Sequence, residues 1–511
     1  MTQLTGPDPT AAAVTARRRR AIFIVTALGA FMASLDLSIV NVAFPALERA
    51  FSHDTRASLS WVITGYSIVF GSLLVVAGRT ADRLGSRRVF FFGLGLFCVG
   101  SLLCGVAPSV ATLIMGRVVQ GVGAAAVLPS SLGLLLGAYP KEKRSQIVSL
   151  WGGIGALAVA TGPSLGAVLI TAFSWRAAFY VNLPVGLIAW LVGRRVLAKT
   201  PGTGTSTSPD FPGVILLSAA LALLVLAISE GPSWGWSNGR IIGGFVVAVL
   251  LFTGFLFRSL HHEEPVLDLT LFRARTFSVA NTTMLLYAMG FFAMLLGNIL
   301  FLTSVWHYSI LDAGLSVTPG PLVVALVSGS AGKLAVRVGF RNVIMSGLGI
   351  FTLGIGWYLW RVTTTPDYPA VWLPGTLIVG LGVALTFPVV SAAAVSSLEA
   401  ARYSVGSAVN QTARQVGGAL GVAILVVILG TPRNATQALH NFDHLWWYIA
   451  STTVLAGLVA SRLGRPRPAM TLPPRDEFVA DASRGTEEML DGEIALDVLD
   501  TTSSIDPRPS A

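Results

Sequence analysis

The chain has 511 residues, 53% of them hydrophobic and only 12% charged, with a mean hydropathy of +0.71 and a formal net charge of +10. This is too apolar for a soluble enzyme of that length and describes an all-α polytopic membrane protein. The basic excess does not describe a nucleic-acid-binding surface, because the cations sit in the breaks between apolar runs and not along one polar face.

Residues 1–20 form a basic segment ending in Arg17, Arg18, Arg19 and Arg20, expected in the cytoplasm. The apolar run that follows, 21–45, is too long for the core of a signal peptide and contains Asp36, so it reads as the first span. Runs at 59–78, 89–106, 110–137, 147–173 and 179–197 complete a six-helix bundle over 21–200. The next region, 201–270, holds a flexible linker, PGTGTSTSPD after Lys199, and two further helices at 213–229 and 241–260. A second six-helix bundle over 271–465 takes 277–304, 315–332, 343–360, 371–396, 405–430 and 445–463. From Met470 onward ten acidic residues face three basic ones, so 466–511 is expected to be a disordered cytoplasmic tail.

Fourteen spans put both termini on one side of the membrane. With the N-terminus in the cytoplasm, 27 of the 35 basic residues lie inside, 6 outside and 2 within helices, which satisfies the positive-inside rule for the cell membrane. A count of twelve or thirteen stays open because the glycine-broken run before Gly332 is marginal, although an odd number would spoil that bias. Cys98 and Cys104 share one apolar run, about 9 Å apart along a helix, which is too far for a bridge. No Cys/His cluster, HExxH or P-loop lysine occurs, so neither a metal nor another cofactor is implied, and no membrane-embedded enzyme is indicated. A transporter-like sensor would need a folded signalling domain, which the short acidic tail does not provide.

One stretch repeats. GRTADRLGSRR, from Gly78 to Arg88, returns 254 positions later as GKLAVRVGFRN, from Gly332 to Asn342, with both glycines in register and Val336 where Asp82 stood. Each copy follows the second helix of its bundle, so the chain reads as two six-helix repeats with a helix pair inserted between them. Further motifs are LDLSIVNVAFP beginning at Leu35, RVVQGVGAA at Arg117, ATGPSLGA at Ala160, SWRAAFYVNLPVG at Ser174 and SAVNQTARQVGGALG at Ser407. Together, and in this order, they resemble the major facilitator superfamily, and within it the fourteen-helix drug:proton antiporters. Ser38 stands where that branch usually has Thr, and Ala167 where a second glycine is common.

The resemblance implies a proton-coupled antiporter that exports lipophilic small molecules such as drugs, antibiotics or dyes by alternating access, as a monomer in the bilayer. Export of one dedicated metabolite, an antibiotic or siderophore, is the alternative. Asp36 is the one acid placed deep in a predicted helix, where a carboxylate is costly to ionise and can take up and release a proton. A structural Asp held by a neighbouring hydroxyl is the other reading. Arg117 lies at a similar depth and needs a polar or anionic partner. By resemblance that partner is the first-helix acid, whereas bonds to helix carbonyls alone would serve equally in physical terms. Gln120, one turn on, shares either role.

Gly162, Pro163 and Gly166 are the antiporter motif of the fifth helix, implied by resemblance to shape the seal between the halves, though generic glycine packing explains them too. Gly78, Asp82, Arg83, Gly85 and Arg87 are implied to form a latch from the first half to the start of the thirteenth helix. The charges also set topology, and Gly85 permits a tight turn. Asn41, Gln120, Asn410, Gln411 and Arg414 are candidate substrate or gating residues, and the partner of Arg414 stays open. Trp306, Tyr308, Trp234 and Trp236 are expected in the interfacial belt, with His307 solvated in a loop.

Overall fold

A computed structural model describes residues 9–139, 141–198, 210–263, 265–398, 402–432 and 434–464. The predicted linker at 201–209, the tail at 466–511 and the first eight residues lie outside the described residues. In chain order the helices are α1 Pro9–Ala50, α2 Arg56–Leu84, α3 Ser86–Gly105, α4 Val110–Ala138 and α5 Lys141–Ala172. There follow α6 Ala177–Tyr180, α7 Asn182–Val196, α8 Phe211–Trp234, α9 Gly239–His261 and α10 Arg275–Ser304. The chain continues with α11 Ile310–Val317, α12 Pro319–Val338, α13 Phe340–Arg361, α14 Leu373–Ser396, α15 Tyr403–Leu429 and α16 Ala435–Ala460.

Among the described residues, twelve helices are long and apolar enough to cross a membrane. One of the fourteen predicted runs is weaker by composition, since the first three turns of α16 carry His440, Asp443 and His444; α5 has no charged residue from 147 to 172. Helix ends follow local chemistry. Thr55 caps α2 by accepting from the Ser58 amide, and Ser109 caps α4 by accepting from the Thr112 amide. The tenth predicted run begins earlier than its apolar pattern does. Ser309 caps α11, and Pro319, which donates no backbone hydrogen bond, starts α12 after a break at Thr318.

The basic segment before residue 21 is helical from Pro9 as part of α1. Its end of α1 is tied to its own half, with Arg18 Nε donating to the Val196 carbonyl and Tyr139 Oη to that of Arg19. This end of the bundle, with the α2–α3 turn, is called here the N-terminal face and the other the distal face.

The halves, α1–α7 and α10–α16, meet along two seams, α2 against α15 and α5 against α11 and α12. The inserted pair α8–α9 packs as a hairpin, and α8 leans on both α2 and α15 through Val214, Leu217, Leu221 and Val225. One apolar core joins the halves: Leu35 to Leu47 of α1, Leu59 and Val62 of α2 and Phe179 of α6 pack with Tyr287, Phe301, Trp372 and Trp446. Those first-half residues are distal. Arg56 Nη1 adds a cross-half bond there, donating to the Gly430 carbonyl at 3.2 Å while Arg56 pairs with Glu48.

Trp306 belongs to this core and not to the interfacial belt. It is buried, donates from Nε1 to the Thr363 carbonyl at 2.8 Å, and packs edge-on to Phe301 and Trp372. The aromatic pocket made by Phe301 of α10, Tyr308 and Trp372, the residue before α14, buries more of the indole than a lipid headgroup region could. Trp234 and Trp236 are exposed, as expected of belt residues, and His307 is exposed in its loop with φ 53°.

The repeated motif has one backbone in two places. Gly85 has φ 93° and ψ 127°, and Gly339, 254 positions on, has φ 93° and ψ 143°. Only glycine adopts such values without strain, so the conserved register reflects a stereochemical demand at both turns. Gly85→Ala and Gly339→Ala are each expected to destabilise the protein by about 1–3 kcal/mol. Gly332→Ala, inside α12 with nothing within 4 Å of the added carbon, is expected to stabilise it by a few tenths to about 1 kcal/mol. Thermal unfolding of the three purified variants checks the opposite signs.

Candidate functional site

Asp36 lies in the middle of α1 and is fully buried, and the helices around it converge on its carboxylate. Arg117 of α4 donates from Nη1 to Asp36 Oδ2 and, at 2.8 Å, to Gln120 Oε1. Its Nε donates to the Val62 carbonyl of α2 at 2.8 Å, and its guanidinium carbon sits 4.1 Å from the Tyr66 ring centroid. Gln120 Nε2 donates to Asp36 Oδ1 and to Ser101 Oγ of α3, both at 2.8 Å. Asn182, the first residue of α7, donates from Nδ2 to the same two oxygens at 3.3 Å. Both carboxylate oxygens are therefore met by donors, and the buried ion pair has the hydrogen bonds that such a pair needs to be tolerated.

Close backbone packing makes this convergence possible. A Cβ on Gly100 of α3 would lie 2.6 Å from the Gln120 amide nitrogen, so the missing side chain lets α3 and α4 touch and brings Ser101 within reach of Gln120. On the other flank, a Cβ on Gly162 would lie 2.4 Å from Ser38 Cβ, and one on Gly166 3.2 Å from Ile39 Cγ1. Ser38 Oγ then donates to the Val159 carbonyl at 3.1 Å, locking α5 beside α1 just past Asp36.

The predicted residues thus separate into groups. Asp36, Arg117 and Gln120 form one contiguous network, and Arg117 uses both an acid and a helix carbonyl, combining the two readings of its role. The acid is held by an arginine and two amides, and among the described residues no hydroxyl donates to it. Gly162 and Gly166 face α1 of their own half, while Pro163 and Ala167 face α11: a Cβ on Gly314 would meet Ala167 Cβ at 2.4 Å and the Pro163 carbonyl oxygen at 2.8 Å. Asn41 turns onto its own helix, donating to the Leu37 carbonyl at 2.8 Å, and stays outside the Asp36 network. Asn410 donates to Asn281 Oδ1 of α10 at 3.2 Å, Gln411 is half-buried, and Arg414 lies 5.9 Å from the Phe387 ring centroid.

At the N-terminal face, Gly78 packs against Pro129, Asp82 and Arg83 end α2, and Gly85 makes the turn. Arg87 Nη2 donates to the Arg194 carbonyl at the end of α7, within its own half. Ser101, Asn182 and Tyr66 are the site residues that sequence reasoning did not single out. Asn182 carried a signal, being an amide inside the quoted run SWRAAFYVNLPVG. Ser101 and Tyr66 carried none, since hydroxyls are common in such helices. Among the described residues no group of three or more His, Cys, Asp or Glu is placed to hold a metal ion.

The fold has solved counterparts. The POT family transporter PepTSo superposes with a TM-score of 0.61 over 86% of this chain and 97% of its own, at 15% identity, a likeness of fold alone. A sequence profile of the Major Facilitator Superfamily matches residues 26–422. The chain belongs to that superfamily. Like its other members it is a membrane-embedded transporter of small molecules and not an enzyme. Relatives within the superfamily include the multidrug resistance protein Stp of Mycobacterium tuberculosis, 34% identical over 82% of this chain and 77% of that one. The tetracenomycin C resistance and export protein of Streptomyces glaucescens is 31% identical over 80% of this chain and 75% of its own. The methylenomycin A resistance protein of Bacillus subtilis is 32% identical over 80% and 87% respectively.

Proposed function

We propose that this superfamily member is a proton-coupled antiporter that exports lipophilic small molecules across the cell membrane by alternating access. In this reading it has fourteen spans, places both termini in the cytoplasm and works as a monomer. The N-terminal face is then cytoplasmic, and α5 and α16 cross the bilayer with the other twelve, α16 despite His440, Asp443 and His444 in its first turns. The observation that carries the reading is the fully buried Asp36 bound to Arg117, Gln120 and Asn182. A group held so far from water changes protonation only when an aqueous path reaches it, so its titration can be coupled to which side is open. The relatives named for drug resistance support export as the direction.

Transport into inverted vesicles under an imposed pH gradient, across a panel of dyes and antibiotics, tests the reading. Uptake is expected to collapse with the gradient, and uptake indifferent to that collapse removes the antiport. Two of the relatives are named for single compounds, which favours keeping dedicated export as the second reading. Response to one chemical class alone would select it.

Asp82 ends α2 at the same face where Val336, its counterpart, is 80% exposed. In the proposed cycle Asp82, with Arg83 beside it, latches the first half to the start of α15, whose N-terminus carries partial positive charge. Asp82→Asn is expected to slow export several-fold while leaving its dependence on the pH gradient intact. Export rates measured with and without the gradient check this, and an unchanged rate leaves the loop with a topological role only.

A further inference from the structure

Two arginines lie deep in the spans, and their surroundings differ. Arg117 donates three hydrogen bonds, two of them to side chains and one to a carbonyl, and is neutralised by Asp36. Arg414, in the middle of α15, meets no carboxylate within ion-pair distance and donates no hydrogen bond among the described residues. Its Nε is buried without a partner. The next residue, Gln415, is fully buried, and neither its Oε1 nor its Nε2 has a partner. Gln411, one turn earlier, is half-buried and likewise makes no side-chain hydrogen bond among the described residues. Thr412, by contrast, is engaged, donating to the Gly71 carbonyl at 2.8 Å across the α2–α15 seam.

Each unsatisfied buried donor or acceptor costs about 1–3 kcal/mol, and an unpaired cation in the membrane interior costs more. Such a band persists only where an occupant or function offsets it. The wall beside it is aromatic. Phe387, whose ring faces the Arg414 guanidinium, has its centroid 4.7 Å from that of Phe291 and 4.9 Å from that of Tyr287.

We propose that Arg414, with Gln411 and Gln415, is the seat for the acidic group of a flat aromatic solute, whose ring lies along Phe387 and Phe291. The guanidinium fork matches a carboxylate or phenolate oxygen, the carboxamides supply further donors, and the rings accept a planar face. Formal charge decides against a lipophilic cation. Asp36 and Arg117 cancel one another, so among the described residues the unpaired charge beside this aromatic wall is the positive one on Arg414, which attracts anions and repels cations. The assignment deepens the reading of the protein as a transporter of lipophilic molecules and rests on it for the solute's release.

Equilibrium binding to the full-length protein in lipid nanodiscs at neutral pH tests it with three flat probes: anthracene-9-carboxylate, neutral anthracene-9-methanol and cationic 9-aminoacridine. The carboxylate is expected to bind about tenfold or more tighter than the alcohol, with the acridine weakest. Arg414→Gln should erase the carboxylate's advantage, and Arg414→Lys, which keeps the charge but not the fork, should retain part of it. The proposal is overturned if the acridine binds as tightly as the carboxylate, if none of the probes binds, or if Arg414→Gln leaves carboxylate affinity unchanged. That last result would mean that water fills the polar band. A misfolded Arg414→Gln, recognised by aggregation on size exclusion, leaves Arg414→Lys and the wild-type probe order to decide. Binding needs no gradient, so failure of proton-driven transport in vesicles is a separate result.

Discussion

Asp36→Asn is expected to abolish export driven by a pH gradient while substrate counterflow without a gradient persists. Asparagine keeps the size of the side chain and one acceptor oxygen, so Gln120 and Asn182 retain a partner, but the group can no longer titrate. The substitution also leaves Arg117 as an uncompensated buried cation between Tyr66 and the Val62 carbonyl. Removing one member of such a pair costs about 3–5 kcal/mol, so the single variant should unfold at a lower temperature than wild type. Adding Arg117→Gln removes the orphaned charge and should recover part of that stability without recovering the gradient response. The order wild type, double variant, single variant in thermal unfolding, with gradient-driven transport absent from both variants, separates coupling from folding. Gradient-driven export at a normal rate in Asp36→Asn would remove Asp36 from the coupling role.

The second large effect is expected at the seam between α5 and α11. Gly314→Val forces a side chain against Ala167 Cβ, 2.4 Å from the added carbon, and against the Pro163 carbonyl oxygen at 2.8 Å. Overpacking of this kind costs about 1–3 kcal/mol, and the cost falls only on the arrangement in which the two helices touch. The population of that arrangement should drop by about tenfold or more, and the export rate with it. Ala167→Gly removes the nearer obstacle but not the carbonyl, so the double variant should recover part of the rate. Export rates of the two single variants and the double check this, and a normal rate in Gly314→Val would show that closure at this seam does not limit transport.

Much of this architecture was legible in the sequence because membrane helices announce themselves by length and hydropathy, and because the two turns at Gly85 and Gly339 need the same residue for the same reason. Asp36 and Arg117 lie at one depth by count along their helices, but only the family resemblance implied their pairing, because helix carbonyls could serve an embedded arginine equally in physical terms. Ser101 and Asn182 could not, because their roles depend on how closely α3 approaches α4 and on where α7 begins, neither of which leaves a periodic trace. Trp306 was misassigned for a related reason. A tryptophan at a helix end fits a headgroup belt equally well until Phe301, Tyr308 and Trp372 are seen to pack around it. In the antiporter motif Gly162 and Gly166 pack on α1 while Pro163 and Ala167 pack on α11, a division that a run of small residues does not reveal in one dimension.

The inserted hairpin carries a mechanical consequence. Because α8 rests on α2 and on α15, one helix from each half, any relative rocking of the halves must drag at least one of them across it. Val214, Leu217, Leu221 and Val225 provide an aliphatic contact there, and among the described residues no hydrogen bond ties α8 to either neighbour. Contacts of that kind have no preferred register to break, so α8–α9 is built as a bearing along one edge of the molecule. Among the described residues no such hairpin covers the α5 edge.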